Sequence, residues 1–323
     1  MQMYNISLIF VAYGPPGPLS YGVFFLTLVT YFATVFANAV LMLVIYCDTS
    51  LHKPMYIFLF NLAMNGLIGS SAALPNIMSN MLVEIKLISY NSCLLQVFFG
   101  SFYASCVYGI LTVMAYDRYV SICKPLQYYN IMTTNAVRLL LGAVYIFPIC
   151  FLAVQMHLTS NLPLCRYTVN KLFCDNLAVV SLSCVKSALV DVYGLAGVVI
   201  FVVFPLSMVI LSYVRILSVS LKASANGKNK ALKTCAPHLI TFINFSTSVL
   251  FSVIYNRFNN YLPKELNVFM SVHFILIPPL LHPLIYGMRT ESISKSFRKI
   301  LKKRIFTVEF HLQSEDNSKN ISL

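Results

Sequence analysis

Charge is what this chain has least of. Only 10 % of its 323 residues are Asp, Glu, Lys or Arg, 58 % are hydrophobic, and the mean hydropathy is +0.76. Soluble domains carry about 25 % charged and about 45–50 % apolar residues, so no soluble surface can be made from this composition. The bilayer is the expected solvent. The absence is also patterned, with no charged residue in 1–47, 54–83, 87–116, 139–165, 192–214, 234–256 or 266–288. A helix needs about 20 apolar residues to cross the hydrocarbon core, so these windows read as seven spanning helices, the first within 21–47. Windows of this length suit helices rather than the strands of a barrel. Residues 1–20 lack the basic start and compact apolar core of a cleavable signal. The stretch "YGPPGPLS" (13–20) is too rich in Gly and Pro for a helix.

Other absences exclude functions. No nucleophile–base pair and no metal-spaced His/Cys/Asp/Glu cluster stands out, so neither an enzyme nor a cofactor is expected. An ion-coupled transporter should carry ionisable groups at mid-membrane. Only histidines are available for that, and no inverted repeat is visible. The basic residues are dispersed over short loops, which argues against nucleic acid as a partner.

The charges that are present give an orientation. With the N-terminus outside, 17 of the 23 Lys and Arg fall on the inner side, as the positive-inside rule requires. The expected organisation is an extracellular N-terminus (1–20), a seven-helix transmembrane domain (21–290) and a cytoplasmic tail (291–323). Asn5-Ile6-Ser7 is then a glycosylation acceptor on the outer side. In the tail, "SISKSFRKILKKR" (292–304) places Ile293, Phe297, Ile300 and Leu301 on one helical face and basic residues on the other. This reads as a short amphipathic helix on the anionic inner leaflet, with membrane lipid as its partner.

The third window ends on two adjacent charges, in "MAYDRYVSIC" (114–123). From the residues alone, Asp117-Arg118 is either an interfacial anchor flanked by the rings of Tyr116 and Tyr119 or a functional group. Further along and around it, "MAYDRYVSICKPLQY" (114–128), "KPMYIFLFNLA" (53–63), "SYVRIL" (212–217), "KALKTCAPHL" (230–239) and "PPLLHPLIYG" (278–287) lie in register on the spans. Together they resemble the olfactory receptors within the rhodopsin-like G-protein-coupled receptors. The paired prolines of the seventh span and "ELNVF" (265–269) resemble the fish-type branch. The resemblance covers roughly residues 20–304.

The resemblance implies a seven-helix odorant receptor in the plasma membrane of the cilia of olfactory sensory neurons, coupled to a stimulatory heterotrimeric G protein. It implies that Arg118 is held at rest by Asp117 and freed on activation, with Tyr119, Tyr213, His238, Pro283 and Tyr286 as the other members of the cytoplasmic switch. Nine cysteines are present. The four on the outer side permit three pairings, and the resemblance implies Cys93–Cys174 and Cys165–Cys184. The ligand is expected in the outer halves of the spans, against Gly100, Ser101, Ala104, Ser105 and Tyr108 on the third, Phe201 on the fifth, and Val249, Leu250 and Val253 on the sixth. Such a lining is apolar and aromatic with a few hydroxyls. Arg257 closes the window 234–256 and is read either as a snorkelling residue or as a pocket cap for anionic odorants.

The family pattern is not kept everywhere. Gly66 and Val107 stand where carboxylates are usual, and His282 replaces the asparagine before Pro283. No mid-membrane carboxylate is therefore left to hold sodium. A receptor for charged amines would need an acid in 87–116, and a retinal-binding opsin a lysine in 266–288; neither is there. The remaining alternative is a rhodopsin-like receptor for a lipid or a peptide.

Overall fold

The computed structural model describes residues 6–13, 15–222, 225–258 and 264–302, with side chains described outside 225–233, 253–258 and 264–272. Asn5 and the side chains of Val253 and Arg257 therefore lie outside the described residues. The long helices are α1 (Pro18–Cys47), α2 (Pro54–Leu82), α3 (Tyr90–Cys123), α5 (Thr134–Ser160), α7 (Ala188–Val198) running on into α8 (Phe204–Leu221), α9 (Ala225–Phe258) and α10 (Lys264–Arg289). With α7 and α8 counted as one rod, the described residues form seven. Short helices α4 (Tyr128–Ile131) and α6 (Asn176–Val180) sit in the loops, and a last helix, α11, covers residues 291–302. Among the described residues, α1, α2, α3, α5 and the α7–α8 rod are each long and apolar enough to cross a membrane.

Local chemistry sets the ends. Pro18 and Pro54 open α1 and α2, where a missing N–H costs nothing. Ser89 caps α3 by accepting from the Ser92 amide, and Thr133 caps α5 by accepting from the Ala136 amide. Between α7 and α8 lies a π turn, Val199–Val203, directly before the Phe204-Pro205 step. Pro205 has no N–H to continue the regular ladder, and the extra residue per turn accommodates it. At 34 residues, α3 is about 51 Å long, longer than the hydrocarbon core, and it carries the Asp117-Arg118 pair inside its last turns.

In lipid the apolar effect does not draw helices together, so close packing must. Of the five rods long and apolar enough to cross a membrane, α3 is the most buried: 61 % of its most apolar stretch lies inside the protein, against 11 % for α7–α8. It is the axis of the bundle, touching α2, α5, α8 and α9. Gly69 of α2 shows how tight the fit is. A Cβ there would sit 2.3 Å from the Tyr103 ring, well inside contact distance.

Outside the bundle, three strands form a small sheet of order β2-β1-β3. Its centre is the N-terminal strand β1 (Ser7–Phe10), antiparallel to β2 (Leu87–Ser89) and parallel to β3 (Thr168–Val169). At the other end, α11 docks Ile293 into the main core and packs Ile300 against it, while Phe297 and Leu301 are exposed. The Asp48 carboxyl at the foot of α1 is held down at about 2 by the Ser296 hydroxyl first and then by Ser50.

Candidate functional site

Two sites emerge, one at each end of the bundle. At the inner end Asp117 is fully buried, and both of its oxygens are taken: Arg118 Nη2 donates to Oδ2 at 2.7 Å and the Tyr128 hydroxyl donates to Oδ1 at 2.7 Å. Adjacent residues on a helix point about 100° apart, so the Arg118 side chain curls back along α3 to reach its neighbour. A buried carboxylate is tolerable only when paired and hydrogen-bonded, and these two donors meet that need. Burial and then the Asp117 charge push the Tyr128 hydroxyl up, so it stays protonated as a donor. Tyr128 closes the quoted motif at 114–128, but neither charge nor periodicity singled it out.

Beside this pair, His238 is buried between three helices. Its Nε2 lies 2.8 Å from the Leu111 carbonyl of α3, and its Nδ1 lies 2.8 Å from the Tyr213 hydroxyl of α8. A carbonyl can only accept, so Nε2 carries the proton and Nδ1 is free to accept from Tyr213. One neutral imidazole thus fastens α9 to α3 and α8. Tyr119 packs against the core and stacks on Tyr116, and Pro283 and Tyr286 are buried in α10.

From His238 a chain of rings runs outward through the bundle. The centroid steps are His238–Phe242 6.4 Å, Phe242–Tyr108 6.3 Å, Tyr108–Phe245 4.9 Å, Phe245–Tyr103 6.0 Å, Tyr103–Phe274 6.1 Å and Phe274–Phe173 6.3 Å. Each lies in the range for favourable aromatic contact. Phe173 belongs to the outer loop and directly precedes Cys174, so this column joins the inner switch to the outer roof.

At the outer end Cys93 of α3 is bonded to Cys174, and Cys165 to Cys184. Gln96 of α3 reinforces the first bridge: its Oε1 accepts from the Cys174 amide at 2.7 Å, and its Nε2 donates to the Ala72 carbonyl of α2. A glutamine in an apolar window carries no periodic signal, and sequence reasoning passed over it. Of the candidate ligand contacts, Tyr108 is buried in the ring column, and Ala104 and Val249 pack against the core. Ser101 and Ser105 are half-buried, and Gly100 faces open space. Phe201 and Leu250 are elsewhere. The Phe201 ring lies on Phe147 and Phe151 at the α5 seam, and Leu250 is 57 % exposed on the outer surface of the bundle.

The middle of the bundle is polar but neutral. Asn38 donates to the carbonyls of Thr34 and Pro279, and Asn65 donates to that of Tyr103. A Cβ at Gly66 would stand in ordinary contact with its surroundings, 3.4 Å from Asn38 Oδ1 and 3.6 Å from Pro279, so the glycine packs α2 directly against the Asn38 amide. His282 is buried with its ring 6.3 Å from Phe245. No group of three or more His, Cys, Asp or Glu suited to a metal occurs among the described residues.

A central α3, an arginine paired at its inner end and a loop tied to its outer end define a rhodopsin-type helical-bundle receptor. The crystal structure of squid rhodopsin superposes with a TM-score of 0.72, covering 94 % of this chain and 92 % of that one at 14 % identity, which establishes the fold. The sequence resolves the family. Residues 26–304 match the olfactory receptor family model. Human olfactory receptor 4E1 is 35 % identical over 87 % of this chain and 88 % of its own length. Human olfactory receptor 52K2 is 32 % identical (85 % and 88 %), and rat olfactory receptor 1 is 34 % identical (85 % and 87 %). The chain belongs to the olfactory receptor family. It is a membrane protein of the G-protein-coupled class, and membership brings an odorant as ligand and a G protein as partner in general terms.

Proposed function

We propose that the receptor sits in the plasma membrane of olfactory cilia with its N-terminus outside and Asn5 glycosylated. It takes a small, mostly apolar odorant into the outer half of the bundle and activates a stimulatory heterotrimeric G protein. The observation that carries this reading is the closed inner lock joined by a continuous ring column to the outer roof. An odorant lodged beside Ala104, Tyr108 and Val249, between α3 and α9, displaces Phe245 and Phe242. That displacement reaches His238, which cannot move without releasing Tyr213 or Leu111. Arg118 then exchanges Asp117 for the G protein, as a charge-assisted pair in a bistable element can. The amphipathic α11 rests its exposed Phe297 and Leu301 in the inner leaflet.

The test is a cAMP reporter in cells displaying the receptor, challenged side by side with odorants and with lipids. Odorant responses that vanish in Arg118→Ala, with surface level and odorant binding retained, are expected. A lipid response without any odorant response, or an unchanged dose–response curve in Arg118→Ala, contradicts the reading.

A further inference from the structure

The N-terminal segment is built into the outer roof as the central strand of its sheet. The Ile9, Phe10 and Val11 amides donate to the carbonyls of Tyr167, Lys86 and Val169, and the Tyr90 amide donates to the Ile6 carbonyl. Leu8 and Phe10 are buried against Cys93, Cys174 and Val97. Three residues past the end of β1, the Tyr13 ring meets Phe10 edge-on at 5.8 Å and its hydroxyl donates to the Leu172 carbonyl at 2.5 Å. Burial pushes that hydroxyl well above the usual tyrosine range, so it stays a donor across physiological pH. Leu172 is next to Phe173, the outermost ring of the column.

We propose that residues 6–13 belong to the ligand-recognition apparatus: Tyr13, through the Leu172 carbonyl, is the positioning residue that sets Phe173 over the ligand chamber. The inference rests on the chamber placed above in the outer half of the bundle. A roof ring resting on Phe274 of α10 and packed in one cluster with Leu74 and Ile77 of α2 limits how far a ligand in the chamber between α3 and α9 extends upward toward α10. The hydrogen bond that fixes the ring therefore bears on which odorants fit as well as on stability. Long and short ligands respond differently to its loss.

The experiment compares wild type, Tyr13→Phe, Phe173→Leu and the double variant, each displayed at measured surface density, against a homologous series of aliphatic alcohols, aldehydes and acids. Tyr13→Phe removes one hydroxyl and leaves the ring. It is expected to preserve surface level and to shift potency by about 2- to 12-fold, the range that one hydrogen bond supplies. The shift should differ with chain length and should reorder the series as Phe173→Leu does, and the double variant should add little to either. Curves that superimpose on wild type, or one uniform shift for every odorant, overturn the proposal. Hydrogen exchange of residues 166–174 in purified receptor reads the strap without any ligand. Faster exchange in Tyr13→Phe is expected, and unchanged exchange overturns the strap. Wild type silent to the whole series, with that exchange difference present, counts instead against the ligand chamber.

Discussion

The two ends of the bundle are held by different kinds of bond. The outer end is fastened by two disulfides and a three-stranded sheet, links that no ligand of modest affinity can exchange. The inner end is fastened by bonds between side chains, Arg118 and Tyr128 to Asp117 and Tyr213 to His238, each replaceable by a bond to something else. A receptor needs both. The roof must keep its shape while ligands come and go, and the inner end must have two arrangements of similar free energy.

Breaking the permanent end should therefore cost most. Cys93→Ser removes a bridge worth about 2–5 kcal/mol in small domains. Surface display and odorant response should both collapse, and mass spectrometry of surface wild type should find Cys93 and Cys174 linked. Free thiols at both positions would refute the comparison at its outer end. Next comes the shared axis. Gly69→Ala drives a methyl into the Tyr103 ring, an overpacking of about 1–3 kcal/mol, and the thermal midpoint of purified receptor should fall. A midpoint equal to wild type would mean that the ring column has slack.

At the exchangeable end the expected effects are functional and smaller. Tyr128→Phe leaves Asp117 with Arg118 as its remaining donor, weakening the lock without emptying it, so basal cAMP at matched surface density should rise several-fold. A fall in basal signal would show that Tyr128 serves the active state. The smallest effect is expected at Leu250. It points away from the core, so Leu250→Ala should move odorant potency by less than about 0.5 kcal/mol, whereas Tyr108→Ala, within the column, should abolish the response. A large Leu250 effect would place the ligand on the outer surface of the helices.

The sequence displayed the spans because charge is scarce enough for each Lys, Arg or acid to mark an end. For the same reason Asp117 and Arg118 stood out. The faces of the helices were much less legible. In lipid an outward leucine is as comfortable as an inward one, so Val249 and Leu250, adjacent in an apolar run, could not be told apart. Phe201 was further obscured because it lies within the π turn at Val199–Val203, whose wider turn takes side chains off the regular α-helical spacing. The strand at Ser7–Phe10 was missed because four residues show no usable alternation and their partners lie far away in the chain. Gln96 and Tyr128 are single hydrogen-bonding groups whose value is visible only once a loop amide or a carboxylate is brought to them.

The central claim is that ligand binding moves the inner end and leaves the outer end still. Spin-label distances measure this directly, with one pair at Lys124, just past the inner end of α3, and Thr234 in the inner third of α9, and a second at Leu95 and Val192 near the outer ends of α3 and α7. With a saturating odorant the inner distance should lengthen by more than about 2 Å while the outer one holds within about 1 Å. An inner distance that does not change, or an outer one that changes more, would contradict the account.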